Sequence, residues 1–444
     1  MRRKNMMPWM MLMSFAVGLL VWAGCKKSDS STEPTEGQNS VVTVTGTAVG
    51  GNLHPLQHFP VVIAGHVATV TDENGAFSIS GVKTPYDITV VDPATKGALV
   101  YVGLTRPDPT LVWQTQATGI DRSGGITGVV SGGAFAPVQG PNDQTKILLY
   151  LASNCTFQTS VEGAESDSFS VWATWKDTPT CTGTMIALQF AADPVTGFPA
   201  ANGFKGFGTL PNTTVTDKSV LGGQALPLQA MAPSQTGQFS AAIAPPPGFS
   251  VTAKDLSLRP HVNGLIPILS DSSASTTVTY NAPAISGSSL TFHARATNGQ
   301  GATTELTKGG LVTGPAAQSI VLPGPPELSL PVADANSVDT TTEFSWRPLE
   351  GGVHVVFFTP ANAGSPSYQI VTMNRSCRLP NLKAYGMVLP SAEQYSWSIL
   401  AIAPVSSVDA AADPSLLNPI CQQGEITSAT VLASTPARPF RTAP

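Results

Sequence analysis

The sequence predicts an all-β protein built from serial β-sandwich domains. Three observations carry this prediction. Charged residues make up only 11% of the 444-residue chain, well under the usual ~25%. Glycine and proline number 41 and 38, which supplies turns at short intervals. Between those turns, short Val-, Thr- and Ser-rich stretches alternate apolar and polar residues, the period of a strand with one buried face.

In chain order, residues 1–25 come first. They open with Arg2, Arg3 and Lys4, continue as an apolar run over 6–23 and end on Gly24 and Cys25. A basic start, a short apolar core and small closing residues form a secretory signal peptide. Ala23, Gly24 and Cys25 resemble a bacterial lipobox, with Trp22 where a Leu is usual. The resemblance implies that Cys25 is lipidated and begins the mature chain, making the membrane a partner through a lipid anchor. The rival readings are an uncleaved transmembrane anchor, since 6–23 has about the ~17–20 residues needed to span hydrocarbon, and ordinary cleavage without lipid. Residues 26–40 offer no apolar side chain to a core, so a disordered linker is expected there. Lys26 rather than Asp follows the cysteine. By the same resemblance this implies the outer membrane, with the body on its periplasmic or cell-surface face.

A chain of this length exceeds one core, and domains of ~100–150 residues are typical. A net charge of −5 argues against a nucleic-acid partner, which would need a basic face. Of the five cysteines, assigning Cys25 to lipid leaves four. An oxidising envelope favours pairing, and Cys155–Cys181 with Cys377–Cys421 is the most economical of three connectivities. No Cys-x-x-Cys occurs and no His is near these cysteines in sequence, so a zinc site is not expected.

The first domain is expected over 41–117. Alternation at 42–49, apolar stretches at 61–64 and 67–71, a hairpin turn at Asp72-Glu73-Asn74-Gly75, and strands at 76–82 and 86–91 make a small sandwich. Gly46, Gly50, the 61–65 stretch, Thr69-x-Thr71-Asp72-x-Asn74-Gly75-x-Phe77-x-Ile79-x-Gly81-Val82 and Tyr86-x-Ile88-x-Val90 resemble the carboxypeptidase regulatory-like domain. That family implies a transthyretin-like sandwich and a non-catalytic accessory module. A second sandwich, at 118–231, is read from strand-like stretches at 125–130, 146–151, 168–175 and 184–190, with Cys155 and Cys181 as its bridge. A third, at 232–322, rests on 238–243, 250–253, 276–280, 290–295 and 302–306. The Leu322-Pro323-Gly324-Pro325-Pro326 segment marks a boundary. The fourth, at 327–444, carries Phe344-Ser345-Trp346, Tyr368-x-Ile370 and Tyr395-x-Trp397-x-Ile399-x-Ala401. These resemble a fibronectin type III sandwich of the Ig-like class, with the pair Cys377 and Cys421 as an addition. Trp346 and Trp397 are expected in its core.

Few residues suggest chemistry. His54, His58 and His66 have helical metal-site spacing only if a helix forms, and Pro55 with the β context argues against it. Asp72-Glu73-Asn74-Gly75 lacks the later ligands of a calcium loop. No His-Glu-x-x-His or Gly-x-Ser-x-Gly setting occurs. No cofactor and no metal site are expected. The most suggestive binding feature is Val171-Trp172-Ala173-Thr174-Trp175. Residues three apart on a strand face opposite sides, so of Trp172 and Trp175 one belongs in the core and the other on the surface. The expectation is a non-enzymatic binding or spacer module for glycan or protein. The alternatives are an accessory component of an envelope secretion or assembly complex, and an extracytoplasmic hydrolase.

Overall fold

A computed structural model describes residues 40–51, 54–113, 120–131, 143–151, 157–163, 168–176, 178–260, 265–413 and 429–444. The expected signal peptide, Cys25, most of the expected linker, Cys155 and Cys421 lie outside these residues. The expected lipid anchor and one cysteine of each expected pair therefore lie outside them too. No helix among the described residues is long and apolar enough to cross a membrane.

The fold is all-β. Each unit is a sandwich of two sheets. In the N-terminal unit, Val41–Gly50 lies between Ala76–Lys83 and Thr110–Trp113. The facing strands are Thr69–Val70, Pro60–Ile63, Tyr86–Asp92 and Gly97–Leu104, in that order across the sheet. Phe77 and Ile79 point inward together, as their spacing requires. The turn before them is held by Asp72, whose Oδ1 accepts from the N–H groups of Asn74 and Ala76, each at 2.8 Å. Gly75 takes φ +72°, and a Cβ there would lie 2.4 Å from the Ala48 carbonyl oxygen, so only glycine fits. Strand structure at 67–71 is limited to Thr69–Val70, and Val67 is exposed.

The C-terminal unit sets Glu327–Leu330, Phe344–Arg347 and Ser376–Cys377 against a sheet containing Ser367–Thr372, Val353–Pro360 and Gln394–Ala403. Trp346 and Trp397 are buried between them. The Phe344 ring meets those of Phe358, Trp397 and Phe440 edge-on, at 4.7, 5.2 and 5.3 Å. Burying each such ring contributes roughly 1.5–3 kcal/mol.

The units follow one another in sequence, but in space the N-terminal unit lies beside the C-terminal one. Gly97–Leu104 pairs in parallel with Ser367–Thr372, from Gly97 opposite Ser367 to Tyr101 opposite Val371. On the other flank, Thr303–Leu311 of the third unit pairs antiparallel with Ala429–Ser434. One fourteen-stranded sheet results, running through three units. The packing crosses the seam as well. Leu99 and Tyr101 enter the N-terminal core, while Ala98 and Val100 enter the C-terminal one. In return Val353, Val371, Ile402, Val405, Val408 and Ala412 join the N-terminal core. A strand buried on both faces reads as a continuous apolar run rather than an alternation, as Gly97–Leu104 does.

The second unit docks on the third in the same two-faced way. Thr180–Ala192 belongs to a five-stranded sheet. Met185 and Ala187 face its own partner sheet. Ile186, Leu188 and Phe190 face the opposite way, into a core shared with Phe239 and Phe292 of the third unit. Tyr280 seals this junction by donating from its hydroxyl to the Pro199 carbonyl at 2.8 Å. The connection from Trp113 to Ile120 is seven steps, a reach of at most about 25 Å, so the first and second units must also lie close.

Candidate functional site

The three-stranded sheet of the second unit builds the main candidate. Asp121–Ser131 is its central strand, flanked by Ser168–Lys176 and Val220–Pro227. Alternation on Ser168–Lys176 is complete: Phe169, Val171, Ala173 and Trp175 are buried, while Ser168, Ser170, Trp172 and Thr174 are exposed. The two tryptophans divide as strand geometry demands. Trp175 is 2% exposed and its indole N–H donates to the Thr178 carbonyl at 2.7 Å. Trp172 is 54% exposed. Trp175 is thus a core residue, and the outer face carries Trp172 alone of the pair.

Trp172 stands in one row with Gly125 and Val220 across the three strands. A Cβ placed on Gly125 would sit 3.4 Å from Trp172 Cε2 and 3.3 Å from Val220 Cγ2. The indole therefore leans over the glycine toward the valine, in space that a side chain at 125 would take. Val220 is itself 55% exposed. The next row on this face pairs Ser170 with Thr127. Beside it, Gly222 and Gly223 form an irregularity between Leu221 and Gln224, with Gly223 at φ +71°. Residues 123–129, 168–175 and 220–227 contain no Asp, Glu, Lys, Arg or His. Among the described residues of these strands and their connections, charge gathers at one end, at Asp121, Arg122, Lys176, Asp217 and Lys218, where Arg122 and Asp217 pair at 2.8 Å. The role of Gly125 escaped the sequence reading, although glycine inside a strand is a known sign of close approach.

Other sequence candidates are not brought together. Among the described residues no group of three or more His, Cys, Asp or Glu side chains could hold a metal. His58 is exposed at φ +62°, with His54 and His66 half-buried in the same unit. Cys181 is buried, and Cys377 is half-buried with burial pushing its thiol up to about 12.

Two polar clusters in the third unit were not visible in sequence. His293 lies between two carboxylates: Nδ1 is 3.1 Å from Asp255 Oδ2, and Nε2 is 3.3 Å from Glu305 Oε2. Arg295 pairs with Glu305 at 3.2 Å. Burial alone would lower the imidazole pKa, but its bonds to Asp255 and Glu305 raise it to about 9. Ser270 donates to Asp255 at 2.6 Å. A hydroxyl nucleophile needs the imidazole as its acceptor; here the bond runs to the carboxylate. Lys254, fully buried, is satisfied by Ser273 (carbonyl 2.9 Å, hydroxyl 2.8 Å), the Ser275 carbonyl at 3.0 Å and Asp271 at 2.9 Å. It ties down the 271–276 turn. These pairs span 38, 12 and 19 residues, and only strand pairing reveals them.

No protein-family model matches the chain, and no curated protein matches it. Among solved structures it is similar to the tip fimbrial protein Mfa3 from Porphyromonas gingivalis, at 10% identity and TM-score 0.17, over 43% of this chain and 82% of that one. It is similar to the Bacillus anthracis TIE protein at 8% identity and TM-score 0.15, over 64% of this chain and 50% of that one. Two B repeat units of the collagen binding protein of Staphylococcus aureus match at 10% identity and TM-score 0.15, over 81% of this chain and 92% of that one. The likeness is one of β-domain architecture and goes no further.

Proposed function

We propose that this chain is an envelope lipoprotein, anchored through Cys25 to the outer membrane, whose β-body is a non-catalytic binding module. The observation that carries the binding role is Trp172. A large aromatic left 54% exposed on a sheet face without charge is costly to hydrate and well suited to hold a partner. The leader and the polar 26–40 segment support the tether. The lateral seams support a presenting role: a body whose units share sheet and core holds its surface in a fixed orientation.

Intact-mass spectrometry of the protein from its native membrane tests the tether. A mature chain beginning at Cys25 with an added diacylglyceryl mass is expected. An uncleaved or unlipidated chain would overturn the localisation. Comparing reduced and unreduced samples reports on Cys155–Cys181 and Cys377–Cys421, which the envelope reading expects to be paired.

A further inference from the structure

We infer that the occupant of the Trp172 face is an uncharged sugar ring of a neutral polysaccharide. This rests on the binding role proposed above and names its ligand class.

The argument begins with Gly125. In the middle of a strand, glycine is destabilising relative to a residue with a side chain. Here its missing side chain gives the indole room to lean across the sheet toward Val220 instead of standing up from it. A leaning indole presents aromatic surface to solvent, and one such surface matches the apolar C–H face of one pyranose ring. The site is too small to be the buried anchor cluster of a protein interface, which gathers several aromatics and Arg in a desolvated centre.

Charge selects among sugars. The three strand segments that make the face contain no ionisable residue, and the nearest cations, Lys218 just before Val220 and Lys176 at the end of the Trp172 strand, already stand beside Asp217 and opposite Asp121, so a uronate, sulfate or phosphate group would gain little counter-charge and would lose its hydration. A neutral ring has no such penalty. Its hydroxyls need partners beside the stacking surface. Thr127 stands one row along, about 7 Å from Gly125 by strand geometry. A hydroxyl both donates and accepts, which suits sugar hydroxyls in either sense. The Gly222–Gly223 irregularity borders Thr127: a Cβ on Gly222 would lie 3.8 Å from its Oγ1. No bulky side chain therefore walls off that row on this side.

Affinity electrophoresis of the full chain in gels containing dextran, mannan, xylan, a soluble mixed-linkage glucan or polygalacturonate tests this. At least one neutral polysaccharide should retard the wild-type protein, and polygalacturonate should not. Trp172→Ala should weaken that binding about tenfold or more with an unchanged melting temperature, since the ring is exposed. Gly125→Val, which keeps the tryptophan but fills the space under it, should weaken binding as well, and Trp172→Phe should retain part of it. Absence of binding to every neutral polysaccharide, binding indifferent to Trp172→Ala, or binding to polygalacturonate alone would each overturn the assignment. A parallel crosslinking experiment in membranes separates the two readings. Trp172-dependent capture of an envelope protein without sugar binding overturns the sugar and leaves the binding role. Absence of both overturns the binding role itself.

Discussion

Arg106 and Asp409 are 303 residues apart in the chain and are joined by two hydrogen bonds. The Arg106 N–H donates to Asp409 Oδ1 at 3.0 Å, and its guanidinium Nη1 donates to the Asp409 carbonyl at 3.0 Å. Thr105 adds its own N–H to the same Oδ1 at 2.8 Å and its hydroxyl to Oδ2. Arg106 also pairs with Asp108 at 3.0 Å and Asp413 at 3.1 Å. Behind this clasp, the short helix Val408–Ala411, capped by Ser407, places Val408 and Ala412 in the N-terminal core. The N-terminal and C-terminal units are thereby locked together.

Asp409→Ala should therefore destabilise the protein measurably. It removes the acceptor of three bonds, two of them from backbone N–H groups, and a hydrogen bond to a charged group is worth about 1.5–3 kcal/mol. Asp108→Ala at the same clasp should cost under about 1 kcal/mol, because Asp108 forms a solvent-exposed pair. Urea denaturation of the two variants against wild type provides the comparison. Equal losses would contradict it.

The two tryptophans of one strand should behave oppositely. Trp175→Ala empties a core position and leaves the Thr178 carbonyl without its donor, at a cost of about 3–5 kcal/mol. Trp172→Ala removes an exposed ring and should change stability by no more than about 0.5 kcal/mol. Thermal melts of both variants distinguish the assignment from its reverse.

Two histidines should shape the pH dependence from opposite sides. His354 is buried beside Trp346, its Nε2 accepts from the Leu349 N–H at 3.1 Å, and Glu350 is the nearby acid. Burial holds its pKa down at about 4, against the ordinary 6.5. Below pH 6.5 the unfolded chain takes up a proton that the fold refuses, so stability should fall from pH 6.5 toward 4. His354→Gln should flatten that limb.

His293 works the other way. Asp255 and Glu305 hold its pKa up at about 9, with Arg295 on Glu305 and Asp271 near Asp255 as the other charges facing the cluster. Its contribution is complete below pH 6.5 and is lost as pH rises through 9. His293→Gln should remove that alkaline decline. Denaturation midpoints between pH 4 and 10 test both histidines.

Much of the fold was legible because each unit obeys strand rules locally. Phe77 and Ile79, the Gly75 turn, Trp346 and Trp397 all sit where alternation and turn chemistry put them. The division of Trp172 and Trp175 also followed from strand parity. The lateral seams were not legible. A strand buried on both faces, such as Gly97–Leu104 or Thr180–Ala192, shows only a continuous apolar run, and such a run does not name the neighbour that covers its second face. Pro199–Thr216 was missed because its Gly, Asn and Pro residues imitate loop composition. Ala429–Ser434 was missed because one of its two partner strands, Thr303–Leu311, lies in another unit, with Thr303 131 residues before Ser434. The clasp at Asp409 was hidden for the same reason: nothing near position 409 announces Thr105 or Arg106.

Native-state hydrogen exchange on the full chain, read by mass spectrometry, examines whether the N-terminal, C-terminal and third units are one body. Amides of Gly97–Leu104, Ser367–Thr372, Thr303–Leu311 and Ala429–Ser434 should be protected to a similar degree and open together as denaturant is added. Asp409→Ala should speed exchange in both Gly97–Leu104 and Ser367–Thr372. Exchange of Gly97–Leu104 in an opening of its own, with Ser367–Thr372 still protected, would contradict the shared sheet and leave a chain of independent sandwiches.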